Sequence, residues 1–166
     1  PGFRLYVKEH YSQSLREWRK IQYYKEILEI PNVKLIHPSF SMEDLIKNSS
    51  LVIAVSGTAS FEAAFYEKPS IIFADMGFSK LSSVFLLRSI DELPNLIRKA
   101  ISTKVDLKQL NAYVHQIENQ SFDFDLIRYS LEEANYFRYG GNNSDKEITS
   151  DQMLSFFNNF EEILNN

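Results

Sequence analysis

Residues 51–74 read LVIAVSGTASFEAAFYEKPSIIFA, and the order of apolar and small polar residues in this stretch decides the fold class. Leu51 to Val55 is an unbroken apolar run, the pattern of a strand covered on both faces of a parallel sheet, which makes it the expected central strand. Ser56-Gly57-Thr58 breaks the run. Ala59 to Tyr66 follows with helical composition, Lys68-Pro69 stops it, and Ser70 to Ala74 is a second apolar run. Strand, turn, helix and strand within so short a span imply a crossover and parallel pairing.

The same alternation extends in both directions. Upstream, Leu5 to Val7 is a short strand-like run leading into Lys8-Glu9-His10, and apolar residues recur at helical spacing from Ser12 to Glu29. Ile30-Pro31-Asn32 is a breaker. Val33 to Ile36 is a second β-branched run ending at His37-Pro38. Ser41, followed by Glu43 and Asp44, has the form of an N-cap with an acidic first turn, opening a helix that ends near Asn48. Downstream, Val84 to Leu87 reads as a further strand, and Ser89-Ile90-Asp91-Glu92 has capping-box spacing ahead of a helix reaching about Ile101.

The expected fold is therefore α/β: a Rossmann-like, mostly parallel sheet of about five strands with flanking helices over residues 1–103. Residues 104–166 form a helical C-terminal extension. Within it, 107–119, 124–137 and 150–164 carry helical periodicity, and Tyr139-Gly140-Gly141-Asn142-Asn143 reads as a flexible break. The tail's aromatics, Tyr129, Tyr136, Phe137, Tyr139, Phe156, Phe157 and Phe160, read as a packing face.

Composition narrows the chemistry. The chain has 166 residues, 44% of them hydrophobic, which suffices for one substantial core. It contains no cysteine, so thiolate catalysis, a Cys-ligated zinc and a disulfide are excluded. A net charge of −4 argues against nucleic acid as a partner, because displacing counterions from phosphates needs a basic surface. No apolar run approaches the ~20 residues of a membrane span, and PGFRLYVKEH lacks the regions of a signal peptide. With no Met at its start and a strand within the first few residues, the chain reads as a C-terminal piece of a longer protein. No HExxH, paired-Cys or Asp-rich loop suggests a metal, and Ser56 is not in a GxSxG elbow.

In an open parallel sheet, ligands collect beyond the carboxyl ends of the strands. Four places qualify: His10, His37 to Ser39, Ser56 to Ser60, and Asp75 to Gly77. The third combines a glycine that admits close backbone approach, hydroxyls at Ser56, Thr58 and Ser60, and a helix N-terminus, which together suit a phosphate. The same residues serve equally as helix caps. Glu62 lies four residues after Thr58 and can share its face, where a carboxylate suits a two-point grip on ribose hydroxyls. Standing alone, it reads first as a dipole partner or a solvated side chain. His10 is a candidate donor to a phosphate or sugar carboxylate, while His37, Pro38 and Ser39 are candidate base or sugar contacts. His115 lies in the helical tail and receives no chemistry.

The stretches LYVKEH (5–10) and YYKEILEIPNVKLIHPSFSMEDLIKNSSLVIAVSGTASFEAAFYEKPSIIF (23–73) together resemble the C-terminal lobe of bacterial capsular polysaccharide biosynthesis glycosyltransferases of the GT-B type. The resemblance spans roughly residues 4 to 100. It implies a two-lobed enzyme in which this lobe binds a nucleotide sugar and an N-terminal lobe receives the polysaccharide acceptor and supplies the general base. This chain alone would then be inactive. The family's Lys-Glu-His-Pro falls on Lys8, Glu9 and His10, with Tyr11 where the family has proline. Its Ser/Gly-Thr turn falls on Ser56, Gly57 and Thr58, its glutamate on Glu62, and its Lys-Pro on Lys68-Pro69. The resemblance implies no cofactor or metal beyond the nucleotide-sugar substrate, and a cytoplasmic location, at the inner face of the membrane where partners hold it there. UDP-N-acetylglucosamine 2-epimerases share the turn and the glutamate, so a UDP-sugar epimerase or hydrolase stays open beside the transferase, as does a non-catalytic Rossmann-like binding module.

Overall fold

The computed structural model describes residues 2–10, 13, 19–121, 130 and 150–165. The chain divides into two compact units, residues 1–105 and 106–166.

The first unit is α/β, with every strand pair parallel. β1 (Leu5–Lys8) pairs with β2 (Val33–Ile36), Leu5 standing opposite Val33 and Lys8 opposite Ile36. β3 (Val52–Ala54), β4 (Ser70–Ile72) and β5 (Val84–Leu86) pair in that order, with Val52, Ser70 and Val84 in register. The helices are α1 (Ile21–Glu29), α2 (Met42–Lys47), α3 (Ala59–Phe65) and α4 (Leu93–Ser102). The expected α/β class and its five strands are present, in one sheet of two strands and one of three.

That division relocates the centre. β3, expected to be central, is an edge of its sheet: Ile53 is 39% and Val55 68% exposed. β4 holds the middle, with Ile71 and Ile72 both at 0%. An apolar run records that a strand is hydrophobic; which strand is enclosed depends on its neighbours, and only β4 has one on each side of this sheet.

Each face of the three-stranded sheet is covered differently. α4 lies over β4 and β5, where Ile71, Phe85, Leu87 and Ala100 form a core joined by Leu51, Leu93, Leu96 and Ile97. On the other face α3 lies over β3 and β4. It presents the buried small residues Ser60, Ala63 and Ala64, which let its backbone come close to the sheet. The Ser70 hydroxyl donates to the carbonyl of Ser60 at 2.9 Å, fixing helix against strand. Beside it, Phe61 stacks on Phe78 (centroids 5.5 Å apart) and meets Phe65 edge-on at 5.1 Å.

Local chemistry sets the ends of these elements. Ile30-Pro31-Asn32-Val33 closes as a type II turn: Pro31 supplies the first central position, Asn32 the positive φ of the second (66°), and Val33 N–H donates to the Ile30 carbonyl. The Ser41 hydroxyl accepts from Asp44 N–H at 3.1 Å, the expected N-cap of α2. α3 ends in a Schellman motif, with Lys68 N–H donating to Ala63 O and Glu67 N–H to Ala64 O. Glu67 occupies the left-handed position there, at φ 56°. A side chain in that conformation costs roughly 1–2 kcal/mol, partly offset by the extra freedom glycine would have in the unfolded chain. Glu67→Gly is accordingly expected to stabilise the domain by up to about 1 kcal/mol; a lowered denaturation midpoint would contradict this account of the turn.

Two helix starts differ from expectation. The helix expected from Ser12 begins at Ile21: Lys20 is extended (ψ 142°), and the preceding Arg19 is bound to Glu9 across the turn at 2.6 Å, a contact that helical spacing could not reveal. Of the expected first half, residues 12 and 14–18 lie outside the described residues. The capping box at Ser89–Glu92 does not form. Residues Ile90–Glu92 make a 3-10 turn without a side-chain cap, and α4 starts at Leu93 with Pro94 in its first turn, where the fixed φ of proline initiates the helix instead.

The second unit contains α5 (Leu107–Asn119) and α6 (Ser150–Asn165). Asp106 caps α5, its carboxylate accepting from Lys108 and Gln109 N–H at 2.9 and 3.2 Å. On α6, Phe156 and Phe157 meet edge to face at 5.6 Å. The expected helix over 124–137, the break at 139–143, and Tyr129, Tyr136, Phe137 and Tyr139 lie outside the described residues. Among the described residues no helix is long and apolar enough to cross a membrane.

Candidate functional site

The parallel register fixes which residues share the carboxyl edge of the three-stranded sheet. Its last rung aligns Ala54, Ile72 and Leu86. Beyond that rung the backbone stays bonded: Phe73 and Ala74 N–H both donate to Val55 O at 3.0 Å, and Leu87 N–H donates to Ile72 O at 2.8 Å. Residues 55–56 and 73–74 then bend, and the strand register ends there.

The turn Ser56-Gly57-Thr58 is exposed at this edge. A methyl group placed on Gly57 would meet only the Ala54 side chain, at 3.8 Å, and the backbone there does not have positive φ. Neither sterics nor conformation within the chain therefore requires glycine, whereas close approach by a ligand would. Thr58 precedes α3 in helical conformation (φ −59°, ψ −21°), and its side chain does not cap the helix. Its hydroxyl donates instead to Glu62 Oε1 at 2.9 Å. The four-residue spacing brings the two together on one face of the helix. Oε2 of Glu62 accepts no bond from the described residues, so this exposed carboxylate retains acceptor capacity.

Ser60 differs from expectation. Its side chain is buried at 0% and its hydroxyl has no partner among the described residues, so it is not presented at the open turn with Ser56 and Thr58. The reason is helical phase: Ser60 falls on the stripe of Ala63 and Ala64 that faces the sheet. The tight first turn also uses the amides of Ser60, Phe61 and Glu62, bonded to Gly57 and Thr58 carbonyls. The Ser56 hydroxyl and the glycine backbone are consequently the main donors offered to a ligand.

His10 and His37 occupy the carboxyl edge of the other sheet, past the rung that joins Lys8 to Ile36. His10 is exposed, and the turn before it is anchored by Glu9, whose carboxylate receives Arg19 at 2.6 Å and the Tyr24 hydroxyl at 3.5 Å. Burial, and then the Glu9 charge, raise the Tyr24 phenol above its ordinary range, which keeps it protonated as a donor. Arg19 also lies over the Tyr23 ring, 5.0 Å from its centre. His37, Pro38 and Ser39 fold on themselves. Ser39 N–H donates to His37 Nδ1 at 3.2 Å, and the Ser39 hydroxyl lies 2.7 Å from the same nitrogen. Because a backbone N–H can only donate, Nδ1 is the acceptor, and the neutral ring carries its proton on Nε2. No hydrogen-bonded rung joins this sheet to β3, so His10 and His37 are not aligned with the Ser56 turn by strand pairing.

A concavity of about 470 Å³ lies at the opposite, amino edge of the three-stranded sheet, lined by Ser49, Ser50, Lys68, Pro69, Thr103, Lys104 and their neighbours. Helices α2, α3 and α4 end there, and Lys68 and Lys104 suit the negative ends of those helices. The Ser49 and Thr103 hydroxyls are already donated to the Ile46 and Lys99 carbonyls. Those internal roles account for the polar lining, and the carboxyl edge remains the better candidate.

Among the described residues no group of His, Asp and Glu could hold a metal ion. Comparison with protein-family models, curated proteins and solved structures finds no match to the chain.

Proposed function

We propose that the first unit is the donor-binding lobe of a glycosyltransferase that builds a surface polysaccharide, with a nucleotide sugar lying along the carboxyl edge of β3. The observation that carries this reading is the Ser56-Gly57-Thr58 turn, whose glycine the fold itself does not need, coupled through the Thr58 hydroxyl to Glu62 one turn later. The Gly57 backbone and the Ser56 hydroxyl receive the phosphate, while the Thr58 hydroxyl, donated to Glu62, holds that carboxylate in place. Glu62 Oε2 receives a ribose hydroxyl further along the ligand. In transfer, an acceptor hydroxyl attacks the anomeric carbon and gives its proton to a base on the acceptor-binding lobe. The bond from that carbon to the phosphate oxygen breaks, and charge gathers on the departing nucleotide. Donors preorganised at the turn stabilise that charge more than the ground state, which is what lowers the barrier. His10, on the adjoining sheet, is assigned to the sugar or phosphate side of the donor.

The test is a thermal-shift screen of the chain with CMP, CDP, UDP and GDP. A ligand that binds only the native state stabilises by about 2.7 kcal/mol at one hundred times its Kd, so one base should raise the melting temperature by several degrees in a saturable way. A flat response to all four at millimolar concentration overturns the donor-lobe reading.

A further inference from the structure

β1 is bonded to β2 only as far as the rung between Lys8 and Ile36. His10 lies past that rung, where no strand partner holds the backbone, yet a side chain that meets a ligand has to be held to within about 0.5 Å of its working position. Glu9 supplies the missing restraint. Its side chain is only 17% exposed, and its carboxylate takes Arg19 Nε at 2.6 Å and, more weakly, the Tyr24 hydroxyl at 3.5 Å.

Those donors are themselves held. Tyr24 belongs to α1, which packs against β2, and it meets Tyr23 edge-on with ring centres 5.4 Å apart. Arg19 lies over the same Tyr23 ring at 5.0 Å. Both keep their protons: the bond to Glu9 raises the Arg19 guanidinium above its ordinary value, and Tyr24 is raised first by its burial. On the far side of the histidine, Gln13 N–H donates to the His10 carbonyl at 2.9 Å. Consecutive Cα atoms are ~3.8 Å apart, so a fixed Glu9 confines the backbone of His10. A carboxylate beside a phosphate would repel it by roughly 1 kcal/mol at 4 Å in water, and by more as water is excluded. Arg19 balances that charge at contact distance, so Glu9 can hold the chain without opposing an anion.

We infer that Glu9 is the positioning residue of His10: by tying the end of β1 to Arg19 and to Tyr24 of α1, it holds the imidazole where the phosphate or sugar of the donor meets it. The inference rests on the donor-lobe reading above and adds to it a residue that acts on the ligand only through its neighbour.

The experiment is a double-mutant cycle on the 166-residue chain, read by isothermal titration with CMP, CDP, UDP and GDP in turn. Glu9→Ala should weaken binding of the preferred nucleotide about tenfold, the lower end of what a hydrogen bond to a charged group carries, and His10→Ala should weaken it at least as much. In the His10→Ala background, Glu9→Ala should add no more than about a twofold loss, because two residues that act as one contact are not additive. Glu9→Gln should keep most of the affinity, since its amide oxygen still accepts from Arg19 and Tyr24. A residue that merely supported the fold would cost the same with or without His10. If Glu9→Ala does not fold, Tyr24→Phe takes its place in the cycle; it removes one hydroxyl, and its smaller loss should be confined to the chain that keeps His10. Equal losses in the two backgrounds, or an affinity unchanged by Glu9→Ala or by His10→Ala, overturn the assignment while leaving the donor-lobe reading in place. Binding of none of the four nucleotides by the wild type sinks both.

Discussion

Ile71→Ala is expected to destabilise the first unit by about 2–5 kcal/mol, the range for removing a large aliphatic side chain from a packed core. Ile71 is fully buried at the centre of β4, held on either side by β3 and β5 and covered by Phe85, Leu87 and Ala100. The backbones of both neighbouring strands are bonded in place, so collapse of the surroundings into the vacated space is limited. Domains of this size have only about 5–15 kcal/mol of total stability, so the variant should lose a large part of its resistance to urea. Ile53→Ala is the informative comparison. Ile53 lies next to Ile71 on the same face, but on the edge strand and 39% exposed. Its loss should cost no more than about half as much, because less apolar area leaves water on folding. Equal midpoint shifts for the two variants would mean that β3 is as enclosed as β4, against the edge position described here.

The contrast between those isoleucines also shows what a sequence can specify. Turn chemistry was legible residue by residue: Pro31-Asn32 supplies the φ angles of its turn, and Ser41 satisfies an orphan amide three residues on. Such effects act within a few residues, where sequence distance equals spatial distance. The strands themselves were legible from their apolar runs. Which of them is enclosed was not, because Val55 looks as buried as Ile71 until the pairing partners of each strand are known. The helix start at Ile21 was not legible either: Lys20 is extended before it, and Arg19 pairs with Glu9 rather than with a helical neighbour. At the candidate site, Thr58 and Glu62 could be read from a spacing of four, since both lie on one helix. Ser60 was misassigned to the open side, because in a helix two positions beyond Thr58 the side chain turns toward the sheet.

Glu62→Ala is expected to weaken binding of a ribonucleotide by about 10- to 150-fold, the equivalent of the ~1.5–3 kcal/mol carried by hydrogen bonds to a charged group. The carboxylate is exposed, and one of its oxygens is held by the Thr58 hydroxyl, so its rotamer is set before a ligand arrives. Preorganisation of this kind reduces the ordering cost of binding, which is why a single exposed side chain can have so large an effect. The free protein should change little, because the only described bond that is lost is an exposed one. Loss of affinity alone would not prove contact with the sugar, since removing a negative charge near a phosphate acts in the opposite direction and could mask it. The 2′-deoxy nucleotide separates the two effects. The wild-type chain should bind it more weakly than the ribonucleotide, and in Glu62→Ala the two sugars should bind alike, because the group that distinguishes them is gone. The double-mutant logic is that deletions of the hydroxyl and of the carboxylate are not additive when the two touch. An undiminished preference for ribose in the variant would place the sugar elsewhere, and a variant that binds both nucleotides more tightly than the wild type would mean that Glu62 opposes the phosphate without holding the ribose.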